Sequence, residues 1–325
     1  MTRLLDTPYE RNGLKLKNRV VMAPMTRSRA EGNLPNALMA EYYGQRAGAG
    51  LVITEGVSPS PNGLGYSRIP GIFNDAQAQG WGVIAKALHA GGSRLFIQVM
   101  HSGRVGATAN LPAGETLVGP SAIPAAGETW TDTAGMQPNA TPRAATAEDL
   151  VRLRQAHVDA ARLAVAHGVD GVELHGANGY LLGQFLNPRS NQRTDGYGGS
   201  AENRRRFVLE VVDATVAAIG AGRVGVRLSP FNPFNDLEAN YAGETEEFLA
   251  LVDELEARGL AYLHLAGGTV KGEVLAQVRA RYRGTLILNG GYDPARAEAD
   301  LAEGIADLVA FGRPFVANPD LVERV

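Results

Sequence analysis

Eight short apolar runs, separated by helical segments, constrain the fold of this chain more than any other feature. Most are rich in Val, Ile and Leu, as expected for buried strands. Strands that alternate with helices predict a parallel sheet, and eight such units predict a closed (β/α)8 or TIM barrel. The predicted strands are Arg19–Ala23, Leu51–Glu55, Leu95–Met100, Gly171–His175, Val224–Leu228, Ala261–Leu265, Thr285–Asn289 and Asp307–Phe311.

The segments between the later strands carry helical signals. Ala147–His167 has two acidic residues in its first turn and Gly168 just past its end. The other predicted helices are Ala201–Ile219, Thr245–Arg258, Gly272–Tyr282 and Pro294–Glu303. A doubly wound sheet is the alternative, but no G-x-G-x-x-G fingerprint follows the early strands. Since no linker composition separates two halves, we expect residues 1–325 to form one domain.

Two segments lie outside the repeating units. The dipeptide Asn12-Gly13 favours a type I′ turn, so residues 1–18 are expected to contain a hairpin over Tyr9–Lys17. Residues 102–146 form a long stretch rich in Ala, Gly, Pro and Thr, which we expect to be irregular. Because it follows a strand's carboxyl end, we predict a lid over the barrel mouth; a surface excursion without a role is the alternative.

Composition excludes several classes of protein. A net charge of −3 and a pI near 6.1 argue against a nucleic-acid-binding surface. The absence of cysteine excludes disulfides, cysteine-ligated zinc, iron–sulfur clusters and thiol nucleophiles. No metal site is expected, since no two histidines have H-x-x-x-H spacing. No apolar run approaches the length of a membrane span and no secretory leader begins the chain, so we expect a cytoplasmic protein.

Three residues after the fourth strand suggest catalysis. His175 and Asn178 can both donate a hydrogen bond to a carbonyl oxygen, and the phenol of Tyr180 can act as a general acid. Each has a simpler interpretation. Asn178 can cap the following helix, and Tyr180 can begin the apolar stripe that continues through Leu181 and Phe185.

Strand alternation places Arg227 inside the barrel, since its neighbours Val226 and Leu228 suit the helix layer. Gln98 is likewise a polar residue between apolar neighbours. A buried cation needs an anionic or polar partner. An internal ion pair between Arg227 and Glu173 and a bound anionic ligand are equal alternatives.

Glycines at the last two strand ends indicate a phosphate site, which recurs at this corner of the fold. Gly290 and Gly291 follow the seventh strand, and Gly312 and Arg313 follow the eighth. Backbone N–H groups and a guanidinium there can bind an anion. The alternative is turn glycines beside a surface arginine.

Four separated motifs resemble the Old Yellow Enzyme family of flavin-dependent ene-reductases. They are Ala23–Arg27 (APMTR), Glu173–Phe185 (ELHGANGYLLGQF), Asn191–Arg204 (NQRTDGYGGSAENR) and Phe311–Leu321 (FGRPFVANPDL). The likeness runs from about Leu14 to the last residue. It implies a barrel with non-covalent FMN that reduces activated C=C bonds of α,β-unsaturated carbonyl or nitro compounds. The implied mechanism is ping-pong hydride transfer, with NADPH, or less often NADH, as donor.

The resemblance assigns roles by position. His175 and Asn178 match the pair that holds the substrate oxygen, and Tyr180 matches the proton donor. Tyr66 and Thr26 match residues that line the substrate pocket. The implied FMN-binding residues are Ala23, Pro24, Met25, Thr26, Gly56, Gln98, His175, Arg227, Gly290, Gly291, Gly312 and Arg313. Implied substrates are enones, maleimides, nitroalkenes, nitroesters and quinones, and the expected assembly is a monomer or homodimer.

Three departures from the family pattern matter. Met100 stands where many relatives have Trp, and Gly56 where Ala is more common. Thr26, rather than Cys, indicates the threonine type. Relatives usually continue for some tens of residues beyond the position of Val325, and we expect one pocket wall to depend on that segment.

A flavin- or phosphate-binding barrel without turnover is a second hypothesis for the function of the chain. A phosphosugar lyase or isomerase is a third, but no Lys lies at the eight strand ends.

Overall fold

A computed structural model of the protein describes residues 3–325. Residues 1 and 2, which belong to the predicted hairpin segment 1–18 and to the predicted domain 1–325, lie outside the described part. Strands β1 (Tyr9–Arg11) and β2 (Leu14–Leu16) pair antiparallel. Asn12 (φ 49°) and Gly13 (φ 81°) join them, with positive φ at both positions as a type I′ turn requires. The predicted hairpin is confirmed.

The chain continues through strands that build the barrel and a smaller group beside it. They are β3 (Val20–Met22), β4 (Leu51–Val57), β5 (Arg94–Val99), β6 (Val118–Gly119), β7 (Glu128–Thr131), β8 (Gly135–Pro138), β9 (Arg143–Ala144), β10 (Gly171–Gly176), β11 (Val224–Leu228), β12 (Tyr262–Leu265), β13 (Leu286–Asn289) and β14 (Leu308–Phe311). Strands β3, β4, β5 and β10 to β14 form a closed parallel barrel in chain order. The predicted TIM barrel is confirmed.

Helices surround the barrel. They are α1 (Ala37–Gly44), α2 (Asp75–Ala90), α3 (Ala147–Ala166), α4 (Leu181–Leu186), α5 (Ala201–Ile219), α6 (Glu244–Glu256), α7 (Gly272–Arg281), α8 (Pro294–Ala302), α9 (Arg313–Ala317) and α10 (Leu321–Arg324). Thr146 and Asp149 form a capping box at the start of α3. None of these helices in residues 3–325 is long and apolar enough to span a membrane.

Side-chain alternation along β11 separates the two faces of the barrel wall, as predicted. Val224, Val226 and Leu228 pack in the core between strands and helices. Gly225 and Arg227 face inward. A Cβ at Gly225 would lie 2.3 Å from the ring of Tyr262, so the glycine makes room for that ring.

The hairpin closes the amino-terminal end of the barrel. Tyr9, Leu14 and Leu16 pack against inward residues of the strands. The Tyr9 hydroxyl also lies 2.8 Å from Thr285 Oγ1. The opposite end, where the strands finish, is therefore left for a ligand.

Residues 102–146 are not irregular throughout, which corrects the expectation. Strands β7 and β8 form an antiparallel hairpin, and β6 pairs with β9. Asn139 satisfies several backbone groups of the segment, and this kind of long-range pairing leaves no pattern in the sequence. Val105, Leu111 and Leu117 pack in one apolar cluster with Tyr180 and Met100, so the segment lies against residues that follow the strand ends.

Candidate active site

His175 lies near the end of β10 and is 3% exposed. Burial, together with the charges of Arg227 and His264, holds the pKa of His175 well below its ordinary value. The ring is therefore neutral at physiological pH. The backbone N–H of Ala177 donates to Nδ1 over 3.4 Å, which leaves Nε2 as the nitrogen that carries the proton. A neutral imidazole of this tautomer can donate to a substrate oxygen.

Asn178 is not the N-cap of the following helix, contrary to the simpler interpretation. Helix α4 begins at Leu181 with Tyr180 at its N-cap position, and Asn178 has a left-handed backbone (φ 56°). Its N–H donates to Ser229 Oγ over 2.7 Å. Its Oδ1 accepts from Asn232 Nδ2 over 3.4 Å, so the two Nδ2 hydrogens remain available as donors.

The hydroxyls of Tyr180 and Tyr66 are hydrogen-bonded to each other, with the oxygens 3.1 Å apart. The two rings meet edge to face, and the ring of Tyr180 also lies 5.0 Å from that of His175. Burial raises the pKa of Tyr180, and burial and Tyr180 itself raise the pKa of Tyr66. Both phenols are therefore protonated near neutral pH, as a proton donor must be. Apolar packing of Tyr180 is also present and is compatible with that role.

Glu173 is not the partner of Arg227. Its Oε1 accepts from Gln98 Nε2 over 2.7 Å, and its Oε2 accepts from His264 Nδ1 over 2.8 Å. Burial opposes its ionisation, but His264, Arg227 and Gln98 together bring the pKa of Glu173 below its ordinary value. The ion-pair alternative is therefore not found, since within residues 3–325 no Arg227 nitrogen lies within 4 Å of this carboxylate.

Arg227 instead donates to Asn289 Oδ1 over 3.2 Å, and its buried Nε has no hydrogen-bond partner in the described chain. Burial lowers the pKa of Arg227, and Glu173 offsets part of that shift. A guanidinium that is 6% exposed and incompletely hydrogen-bonded is costly unless a ligand completes it. This orphaned donor fits an anionic group bound at the mouth.

The glycine corner brings two strand ends into close contact. Gly290 has φ 159° and a Cβ there would lie 2.5 Å from the Cα of Gly268, which follows β12. Gly291 has φ 67°, and Gly312 precedes α9. Arg313 is exposed. Close backbone approach at Gly290 and a guanidinium directly after Gly312 are groups that can bind a phosphate, and the phosphate site stays a prediction.

The segment after β3 is held from beneath by Glu55. Ala23 and Met25 lie beside Gly312, and Pro24 and Thr26 complete this part of the wall. Glu55 Oε2 accepts from the N–H of Arg27 over 3.0 Å. Thr26 is exposed and is thus presented by a fixed backbone.

Gly56 is covered by the side chain of Met100. A Cβ at Gly56 would lie 2.4 Å from Met100 Sδ. Gly56 and Met100, two of the departures from the family pattern, therefore contact each other. The sequence shows both residues, but their contact depends on a register shift between β4 and β5.

Sequence reasoning missed several residues of the site. Gly268 follows the sixth strand of the barrel. The same search for glycines that was applied to the seventh and eighth strand ends would have found it. Asn289 precedes two glycines that were identified. Asn232 and Asn235 come from loops and carry no sequence signal of their own.

Comparison with known proteins decides the family. Residues 5–325 match the NADH:flavin oxidoreductase / NADH oxidase family. The chain belongs to this family. This confirms the Old Yellow Enzyme resemblance, and with it FMN and a nicotinamide hydride donor as cofactors and the reduction of activated C=C bonds as the reaction.

Individual relatives are similar over almost their whole length. The chain is 41% identical to 12-oxophytodienoate reductase 1 of Oryza sativa subsp. japonica, covering 98% of this chain and 85% of that protein. Morphinone reductase, solved in complex with tetrahydroNAD, is 44% identical with a TM-score of 0.94, covering 99% of this chain and 90% of that one. An old yellow enzyme homologue from Zymomonas mobilis is 37% identical with a TM-score of 0.93, covering 98% and 91%.

Proposed function

We propose that His175 and Asn178 bind the carbonyl or nitro oxygen of an activated alkene and that Tyr180 protonates the α carbon of the same substrate. The observation that carries this proposal is the pair of hydrogen-bonded, protonated phenols beside a neutral histidine. The Nε2–H of His175 and the Nδ2 hydrogens of Asn178 polarise the substrate oxygen and stabilise negative charge on it. This makes the β carbon more electrophilic.

Tyr180 delivers its proton to the α carbon. Tyr66 donates a hydrogen bond to the Tyr180 oxygen, which favours the phenolate that forms when the proton leaves. The positive charge of Arg227 also stabilises the phenolate, because it lowers the pKa of Tyr180 against the effect of burial. The pair thus supplies one proton, and Tyr180, which delivers it, is 8% exposed.

FMN fits the residues present. Arg227 offers an orphaned donor, and Gln98 Oε1 accepts no hydrogen bond among the described residues. Gly290, Gly291, Gly312 and Arg313 would hold the phosphate. Thr26, Met25 and Gly56 would contact the ring system, with Ala23 and Pro24 behind them. The chemistry that bound FMN would supply here is the transfer of a hydride between the nicotinamide donor and the substrate.

Several finer assignments stay predictions. They are NADPH as the preferred donor, a cytoplasmic location, a monomer or homodimer, and the substrate panel of enones, maleimides, nitroalkenes, nitroesters and quinones. Morphinone reductase was solved with tetrahydroNAD, so both NADH and NADPH should be tested as hydride donors. Comparing kcat/KM for NADPH and NADH shows which donor this protein prefers. Limited proteolysis tests whether 1–325 is one FMN-binding domain with 102–146 as its lid.

The experiment for the proposed function is a single-turnover oxidative half-reaction. Purified protein loaded with FMN is reduced and mixed with 2-cyclohexenone, N-phenylmaleimide or a nitroalkene. We expect reoxidation of the flavin with one equivalent of saturated product. Flavin binding without product from any of the three would favour the ligand-binding hypothesis instead.

A further inference from the structure

Arg104 is a buried cation at the base of the segment 102–146, and it lies outside the machinery assigned above. Its side chain is 0% exposed. Its guanidinium donates to the carbonyls of Pro124 at 3.2 Å, Asn235 at 3.2 Å and Asp236 at 2.6 Å. The Asp236 carboxylate lies 3.6 Å away. One side chain therefore ties the segment 102–146 to the loop that follows β11.

That loop, residues 229–243, has an unusual backbone. Phe231, Asn235, Asp236 and Asn240 all have φ near +60°, although none is glycine. Left-handed non-glycine residues cost energy and persist only where surrounding contacts impose them. Glu244 supplies one such contact, because its carboxylate accepts from the N–H groups of Phe231 and Asn240. Arg104 supplies the contact at the other two left-handed residues.

Asn235 connects the loop to the candidate catalytic groups. Its Nδ2 donates to the carbonyl of Asn178 over 2.8 Å. Its Cβ packs closely over Gly179, where an added Cβ would lie 2.8 Å away. The Asn235 side chain also lowers the pKa of Tyr66 and that of Tyr180 against the effect of burial. A shift of the loop would therefore move Asn178 and Gly179, and with them the adjacent Tyr180, whose hydroxyl is bonded to that of Tyr66.

An arginine suits this junction for a physical reason. Its planar fork can donate to several carbonyls at fixed angles, whereas a lysine ammonium has a shorter reach and no fork. Both carbonyls that it binds in the loop belong to left-handed residues. The guanidinium thus fixes the backbone direction at the two positions that aim the Asn235 amide.

We propose that Arg104 is a positioning residue for proton delivery: it holds the 229–243 loop so that Asn235 orients Tyr180, Tyr66 and Asn178. This inference rests on the proposed function for its kinetic consequence. Its structural consequence, a loop clamped through Asn235 and Asp236, stands without turnover. The two can therefore be tested separately.

The first test compares Arg104→Lys with Arg279→Lys. Arg279 is the control, since it also joins backbone carbonyls, those of Tyr282 and Gly284, to a carboxylate, that of Asp307, but at the amino-terminal end of the barrel. Amide hydrogen exchange is measured on the FMN-loaded protein. We expect R104K to raise exchange about tenfold or more in 177–180 and 231–240. Unchanged protection there, or the same change in R279K, would overturn the clamp.

The second test is a double-mutant cycle with Tyr180→Phe. We expect R104K to slow the enone half-reaction about 10- to 100-fold, with flavin reduction by NAD(P)H within about twofold of wild type. In the Tyr180→Phe background, R104K should add a much smaller loss, because the proton that it positions is gone and only its effect through Asn178 remains. The solvent deuterium isotope effect should rise in R104K. Multiplicative losses in the double mutant would refute positioning of Tyr180.

A third variant covers the case in which R104K does not fold. Asn235→Asp keeps a residue that tolerates φ 57° and leaves the Arg104 contacts to the backbone intact. A carboxylate cannot donate to the Asn178 carbonyl, so the same selective loss in the enone half-reaction is expected. Wild-type rates in N235D would overturn the proposal. If the wild-type protein itself did not reduce enones, the proposed function would be overturned. The hydrogen-exchange comparison of R104K with R279K would still test the clamp.

Discussion

The hydroxyl oxygens of Tyr66 and Tyr180 lie 3.1 Å apart, although 114 residues separate them in sequence. This contact joins the loop after β4 to the turn after β10. Tyr180 is buried and Tyr66 is partly buried, and this burial raises the pKa of both. The pair therefore holds its protons near neutral pH, and in the proposed mechanism the Tyr66 hydroxyl stabilises the charge left when Tyr180 donates its proton.

Replacing Tyr180 with Phe should separate the two half-reactions. We expect flavin reduction by NAD(P)H to stay within about threefold, while enone reduction slows about 10²- to 10⁴-fold, the usual range for loss of a general acid. Stopped-flow absorbance of the flavin measures both rates. Tyr282→Phe is the control, because its buried hydroxyl lies at the far end of the barrel. Equal losses in both half-reactions would contradict the assigned role.

Replacing His175 with Ala should weaken the binding of phenolic ligands, which mimic the charged oxygen of the intermediate. A hydrogen bond to a charged group contributes about 1.5–3 kcal/mol, so we expect Kd to rise about 10- to 100-fold. Spectral titration of the FMN-loaded protein with a p-substituted phenol measures this. His89→Ala, on the exposed end of α2, is the control. An unchanged phenol Kd in H175A would count against oxygen binding by this residue.

Gly56→Ala should disturb the contact with Met100. The new Cβ would lie within 3.1 Å of three Met100 atoms, and such overpacking costs about 1–3 kcal/mol. Shortening Met100 in the double variant G56A/M100A should recover part of that loss. Chemical unfolding of the four proteins in the cycle gives the coupling energy. Additive effects of the two changes would show that the residues do not share this space.

The protein should lose stability as pH falls below 6.5. Burial lowers the pKa of His101 to about 3 and that of His157 to about 4, from an ordinary 6.5. The unfolded chain therefore takes up more protons than the folded one, so this stability is complete above pH 6.5. It decreases as pH falls toward 4, with a slope of up to about 1.4 kcal/mol per pH unit for each histidine.

Urea unfolding at pH 7.5 and 5.0 checks this prediction. The variant His101→Gln/His157→Gln should show a smaller difference between the two pH values than wild type. A wild-type unfolding free energy that does not change between these values would contradict it.

Much of the fold could be predicted from local pattern. The predicted strand Val224–Leu228 and helix Ala201–Ile219 agree with the structure at both ends. Both carry a clear hydrophobic period, and Ser200 caps the helix. The structured hairpin within 102–146 was missed, because its strands are short and their apolar residues, such as Trp130 and Met136, lie exposed.

Part of the site could also be predicted. Strand ends and four motifs located the candidate FMN and substrate residues, and tertiary structure brings His175, Asn178, Tyr180 and Tyr66 together. The partner of Arg227 could not be predicted, because alternation shows only that a side chain points inward. The register of β10 against β5 places Glu173 beside Gln98, and β12 brings His264 to the same carboxylate. Glu173 therefore accepts hydrogen bonds from these two residues and not from Arg227.

The sequence by itself determined the eight-fold alternation, the family and the chemical types of the residues at the strand ends. These depend on periodicity and on motifs that are continuous in the chain. Only the tertiary structure decided which donors remain free and which loops hold them. Asn235 reaches Asn178 across 57 residues, and Arg104 reaches Asp236 across 132. Such contacts depend on the fold of two loops against each other, and no local pattern records them.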